Sequence, residues 1–280
     1  MTMGKIAARI GYAVAALLLF VSLTILFIPN RAILDAVNHG LAVHGLTFSA
    51  TEFDKAFPLG VSGRGWTLSS TKGKLLSLES ASLKLRLLPL LAAKLVFSLE
   101  ARSGSGSIKA TASSSANGTL HLEIKGLNLE QVPFFASVTG SDVAGIINCQ
   151  TEISGAKGKG NGFIKLDAQG VELRGVKIGE TPLPDATYQT VQAMIRVSGG
   201  TASIESFTLQ GSGLYARLRG NILPGAGLPA APLNMTLELM PKPDFLDKQK
   251  FIFLLLAKYL DTPGHYQVPI KGTLGRPVME

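Results

Sequence analysis

Ala81-Ser82-Leu83-Lys84-Leu85-Arg86-Leu87 alternates strictly between apolar and polar positions. Successive side chains of a strand point to opposite faces, so a period of two marks a half-buried β-strand. The same beat runs outward in both directions. Upstream, Leu46, Phe48 and Ala50 alternate with Thr47 and Ser49, and Leu76 and Leu78 open another strand. Downstream, strands are expected near 95–101, 107–113, 119–124, 143–154, 163–168, 171–178, 188–197, 202–210, 215–222 and 233–239, with a closing strand over 267–278 stopped by Pro277. Turn residues separate them: the Gly-rich stretch Phe57 to Gly65, a hairpin loop from Arg102 to Ser107, Asn117-Gly118, Ala156 to Gly162, Gly199-Gly200, Gly211-Ser212-Gly213 and Pro224 to Gly227. Asn-Gly is a strong hairpin signal. Thr181-Pro182-Leu183-Pro184 breaks the sheet, because proline cannot donate to a ladder. Short strands at even spacing predict a mainly β fold: a sandwich, a barrel or a long curled sheet.

Helical patterns are few. Ile33, Leu34 and Val37 recur at helical spacing after Asn30, with Gly40 as the stop. Leu88-Pro89-Leu90-Leu91 reads as one helical turn or a tight crossover, and Leu127 to Pro133 as the start of a short helix carrying Phe134, Phe135 and Val138. A last helix is expected from Asp244, as its cap, to Leu260. It is too short and too charged to span a bilayer, and is expected to pack over one end of the sheet in preference to the membrane surface.

Before all of this stands an uncharged apolar run from Ile10 to Ile28, with Leu17, Leu18, Leu19, Phe20, Leu23, Ile25, Leu26 and Phe27 as its bulky members. A bilayer-spanning helix needs roughly 20 such residues. Lys5 and Arg9 precede the run, so the positive-inside bias places residues 1–9 in the cytoplasm and 29–280 on the far side. The run exceeds a signal-peptide core of about 7–15 residues and no small-residue cleavage pattern follows it. It therefore reads as an uncleaved signal anchor.

Composition agrees with a β-rich chain. Of the 280 residues, 31 are glycine, 7% are aromatic and 16% are charged, against about 25% charged in an ordinary soluble domain. The net charge is +8, of which +6 falls beyond the anchor, spread singly along strands. With no basic block and no reader motif, nucleic acid is not an expected partner. Weak attraction to anionic lipid head groups fits the charge. The single cysteine, Cys149, sits in an apolar run and reads as a small buried hydrophobe, so no disulfide framework is expected.

No catalytic, cofactor or metal constellation emerges. His39 and His44 are five apart with no carboxylate between them, and His121 and His265 stand alone. Ser62 misses the G-x-S-x-G frame. Gly158-Lys159-Gly160 precedes a strand and lacks the phosphate-loop frame. Acidic residues are dispersed singly, so the chain is read as non-enzymatic.

Several stretches carry a resemblance. Leu85-Arg86-Leu87-Leu88-Pro89-Leu90-Leu91-Ala92-Ala93-Lys94-Leu95 runs into a strand, a Gly-rich turn and Ser107-Ile108-Lys109-Ala110. Ile204 to Gly213 is followed by Ala216 to Gly220, and the chain closes on Val268-Pro269-Ile270-Lys271-Gly272-Thr273-Leu274-Gly275-Arg276-Pro277. This order resembles AsmA-like envelope proteins and, within that group, is most similar to the type II secretion system protein N family. The resemblance implies an inner-membrane protein of Gram-negative bacteria with a periplasmic β-domain. Its partners would be secretion subunits, a secretin or an inner-membrane platform. The wider group implies an elongated, taco-like sheet with an apolar groove, linked to lipid movement between the two membranes.

Overall fold

The computed structural model describes residues 12, 20, 23, 24, 27–57, 59–90, 94–114, 117–156, 159–224 and 230–280. Within these, the chain is one long antiparallel meander. Helix α1 (Asn30–Ala42) leads in. Strands β1 (Leu46–Ser49) and β2 (Glu52–Ala56) then lie end to end along one edge of β3 (Gly60–Ser70). Each following strand pairs with its predecessor: β4 (Gly73–Leu85), β5 (Leu95–Ser103), β6 (Gly106–Ser114), β7 (Gly118–Asn128), β8 (Asp142–Gly155) and β9 (Asn161–Arg174). A separate ribbon of β10 (Lys177–Ile178) and β11 (Thr181–Pro182) intervenes. The sheet resumes with β12 (Ala186–Ser198) on β9, then β13 (Thr201–Gly211), β14 (Leu214–Ile222) and β15 (Leu233–Pro241). Strand β17 (His265–Thr273) pairs with β15, and β16 (Leu260–Thr262) and β18 (Arg276–Met279) share its outer edge.

The result is a 16-stranded sheet whose first and last strands do not pair, so it is neither a sandwich nor a closed barrel among the described residues. Its connections fall at two ends. The near end holds the links β2–β3, β4–β5, β6–β7, β8–β9, β12–β13, β14–β15 and β17–β18; the far end holds the others, except the β1–β2 link, which lies midway along β3 beside Arg64. Helix α1 runs antiparallel to the β1–β2 edge. Asn38 Oδ1 accepts from the Phe48 N–H at 2.7 Å, and Asn30 Nδ2 donates to the Phe53 carbonyl at 2.7 Å. The N-terminus of α1 therefore points to the near end.

The far end is covered. Between β7 and β8 a 3-10 turn (Leu129–Gln131) and a π-helical turn (Phe135–Thr139) fold back, Gln131 against Gly104 and Ser137 against Gly73. Between β15 and β16, helices α3 (Pro243–Lys248) and α4 (Lys250–Leu255) and a 3-10 turn (Ala257–Tyr259) drive Phe253, Leu256 and Tyr259 into the main core beside Tyr266 and Val268. Ile178 and Leu183, from the ribbon and its edge, pack on that core, with Gly179 beside the Pro277 carbonyl. A second, smaller cluster forms on β3–β6 around Trp66, Leu78, Ala81, Ala101 and Ile108. There Phe48 meets the Trp66 ring edge-on at 5.2 Å and Phe53 stacks on it at 6.2 Å.

Several boundaries differ from the sequence reading. Helix α1 passes through Gly40 to Ala42. The Gly-rich stretch before Trp66 is strand from Gly60 onward, because Gly63 lets the Glu52 carbonyl of β2 approach closer than any side chain would allow. The strand expected over 163–168 and the first half of the one expected over 171–178 are one strand, β9, kinked at Gly170, whose φ of 59° only glycine adopts readily, while Lys177-Ile178 is split off as β10. Leu127 and Asn128 end β7 instead of starting a helix. Asp244 does not cap: Pro243 takes the first helical turn, and the helix breaks in two at Gln249. The closing strand is a hairpin, turning at Leu274-Gly275, with Pro277 inside β18.

Of the anchor residues, Ile10, Leu17, Leu18, Leu19, Ile25 and Leu26 lie outside the described residues, as do 58, 91–93, 157–158 and 225–227 of the expected turns. Phe20, Leu23 and Phe27 are helical and exposed, and Ile28 is exposed at the bend before α1. Among the described residues no helix is long and apolar enough to cross a membrane.

Candidate functional site

Register, not any single motif, builds the candidate site. Residues directly opposite across an antiparallel pair share a face. One such row is Val61, Leu83, Leu99, Ala110, Leu122, Thr151, Ile164, Ile195, Ile204, Gly220, Met235, Ile270 and Met279, traced strand to strand from β3 to β18. Only Thr151 and Gly220 interrupt its apolar character, and Thr151 is buried with its hydroxyl 3.7 Å from Cys149 Sγ. The next row toward the near end runs Leu85, Phe97, Ala112, Leu120, Ile153, Gly162, Val197, Ala202, Ile222 and Leu233. An apolar face thus extends over almost the whole sheet, interrupted in these two rows only at Thr151, Gly162 and Gly220.

Burial along this face falls from the far end to the near end on β5, β7, β9 and β12, whereas on β13 Ile204 is buried and Phe207 and Leu209, nearer the far end, are half-buried. On β5, Ala101 is buried, Leu99 half-buried, and Phe97 and Leu95 are each 40% exposed. On β7 the sequence is Leu127 at 6%, Ile124 and Leu122 half-buried, and Leu120 at 40%. On β9 and β12, Val171, Ala168, Val191 and Ala193 are buried, whereas Ile164, Ile195 and Val197 are half-buried. The far-end segments account for the buried half: they fold over the face and bring Phe253, Leu256 and Tyr259 into its core. The β14 and β15 side is the more closed, since Leu233 is buried close to its near end.

The opposite face is polar and knitted by ion pairs. Lys125 Nζ lies 2.6 Å from Glu123 Oε1 and its hydrogen bond holds the Glu123 carboxyl below its ordinary range. Arg219 pairs with Glu238 at 3.2 Å, and Arg196 pairs with Glu205, which raises the guanidinium further. Lys165 and Asp167 face this side at 3.8 Å, while their neighbours Ile164 and Leu166 face the apolar side. A shallow polar depression of ≈ 710 Å³ over β3–β6 is lined by Glu52, Arg64, Glu100, Arg102 and Lys109.

Both sheet edges are obstructed. Helix α1 engages backbone groups of β1 and β2 through Asn38 and Asn30. On the other edge Pro277 has no N–H to donate, and β16 is only three residues long. Among the described residues no group of His, Cys, Asp and Glu is placed to hold a metal ion. His121 and His265 each lie beside one carboxylate, Glu152 and Asp261, at 3.4 and 3.3 Å. Cys149 is half-buried on the apolar face. Sequence reasoning did not name the residues of this face as a site. The alternation that places them was legible in every strand, but the pairing that joins them into rows was not.

The class defined by these features is a single open antiparallel sheet with one continuous apolar face, sealed at one end. No family model, no curated protein and no solved structure matches the chain.

Proposed function

We propose that the protein is a non-enzymatic, membrane-anchored envelope component whose apolar face shelters acyl chains. The observation that supports this most is the burial gradient: Leu95, Phe97 and Leu120 stand exposed in register with the buried core of the same face. A finished core has no reason to end in an open row of large apolar side chains. Lipid tails match such a surface, because it offers area and no hydrogen-bonding pattern. In this reading residues 10–28 hold the chain in the inner membrane and the sheet stands in the periplasm of a Gram-negative bacterium, working on lipid between the two membranes.

A second reading takes the protein as an accessory of the type II secretion system, supporting export through the outer-membrane secretin. Its support is at the far end, where Phe251, Leu254 and Leu255 of α4 face outward at 69%, 70% and 44% exposure, as a protein-docking helix would.

Photo-crosslinking residues at Leu120, Ile164 and Leu166, compared with Lys165 and Asp167, separate the two in living cells. Lipid adducts confined to the first three support the acyl-chain reading. Adducts to a secretion subunit from Leu254, with none to lipid from the apolar face, would replace it with the second.

A further inference from the structure

We propose that the near end of the sheet is seated on the anionic surface of the bilayer that holds the N-terminal segment, so that the apolar face opens directly onto lipid. The inference rests on the anchor reading of residues 10–28. Three independent features meet at this end. Helix α1 points its N-terminus toward it, fixed by Asn30 and Asn38, so the chain reaches the helix from this side through Phe27, Ile28 and Pro29. Its connections present large apolar side chains to solvent: Phe57 at 75%, Leu88 at 82%, Leu223 at 43% and Leu274 at 44%. Finally, the near-end links, residues 57–59, 86–94, 115–117, 156–160, 199–200, 223–232 and 274–275, contain no Asp or Glu, while Arg86, Lys94 and Lys159 stand exposed among them.

The far end differs in charge. Its links carry Glu130, Glu180, Asp185, Asp244 and Asp247 among their lysines. Apolar tips with basic residues and no acidic ones are what an interface of head groups and acyl chains selects: the side chains sink past the head groups and the cations pair with lipid phosphate. The far end also exposes apolar residues, on α4, but it lies a full strand length away. For β8, with its 14 residues at about 3.3 Å each, that is roughly 45 Å. One bilayer surface cannot touch both ends.

The test uses the full chain in nanodiscs, in a C149A background, with a fluorescent label on one introduced cysteine at a time: L88C and L223C at the near end, T71C and L254C at the far end. Lipids brominated on their acyl chains serve as contact quenchers. The expected result is severalfold quenching at the two near-end positions and none at the far end. Near-end quenching should be stronger in discs containing phosphatidylglycerol than in pure phosphatidylcholine. Leu254 is as apolar and exposed as the near-end residues, so it controls for stickiness. Unquenched L88C and L223C in a chain that still co-elutes with the discs would overturn the docking and leave the anchor reading standing. A chain that does not co-elute would overturn both. Quenching of L254C alone would place the other end on the membrane and also overturn the inference.

Discussion

Leu120 and Leu127 occupy the same strand and the same face, seven residues apart, and replacing each with alanine weighs an open apolar face against a closed core. Leu→Ala removes three carbons, worth about 2.4 kcal/mol at about 0.8 kcal/mol per fully buried methylene. Leu127 is 6% exposed at the far end of β7. Its replacement forfeits nearly all of that and leaves a cavity, for a total of about 3 kcal/mol. Leu120 is 40% exposed. Its replacement forfeits a little over half and leaves no cavity, because solvent already reaches the site, so about 1.4 kcal/mol is expected. Glutamine widens the gap: L120Q keeps its amide in water, whereas L127Q buries an amide without a partner and adds about 1–3 kcal/mol. The single tryptophan, Trp66, lies in the neighbouring cluster and reports unfolding by fluorescence in urea. The comparison is read from midpoint shifts at constant slope. Losses for L120A and L127A that agree within about 0.5 kcal/mol, a typical limit of such comparisons, would refute the reasoning, since they require Leu120 to be sealed like Leu127.

Further outcomes follow from other parts of the fold. Burial pushes the Tyr188 phenol up to about 12, so the folded state holds its proton more tightly than the unfolded chain does. That contribution, about 3 kcal/mol, is complete below pH 10 and is lost as pH rises from about 10 to 12. In Y188F the same alkaline titration of stability should lose this component. G63A puts a methyl group onto the Glu52 carbonyl and should cost about 1–3 kcal/mol, with faster hydrogen exchange in β2. N38A removes the acceptor for the Phe48 N–H; a loss of about 1 kcal/mol and faster exchange confined to β1 and α1 are expected.

How much of this was legible in the sequence depends on how local the cause is. The strand over 81–85 is written in its own alternation, and β12 through β15 appear within one or two residues of where their period places them. The one-turn helix α2 (Leu87–Leu90) was visible in Leu88-Pro89-Leu90, since proline tolerates a first turn. What failed depended on a neighbour. Gly60 to Gly65 looks like a turn until β2 is laid beside Gly63. Gly170 looks like a strand end until β8 and β12 carry the ladder past it on both sides. The site is the extreme case. Each of Leu83, Leu99, Leu122 and Ile164 is an ordinary inward residue of its own strand. The row they form depends on register, and its exposure depends on which connections fold over it.

The routes by which this sheet could meet a partner are correspondingly narrow. Strand addition needs an edge with unpaired backbone donors and acceptors. One edge is shared with α1 through Asn30 and Asn38, and the other offers a three-residue strand and a proline. The polar face pairs several of its charges within itself, through Glu123–Lys125, Lys165–Asp167 and Arg196–Glu205. What remains is the apolar face, and its open side coincides with the end toward which α1 points. A binder of protein segments would gain from hydrogen-bonding groups placed along its cleft, as backbone amides are costly to bury unpaired. The row from Val61 to Met279 supplies only Thr151, already buried beside Cys149. A surface of this length that offers contact area and almost no hydrogen bonds selects for hydrocarbon over peptide. This argument about polarity, more than the shape of the sheet, is what supports the proposed acyl-chain reading.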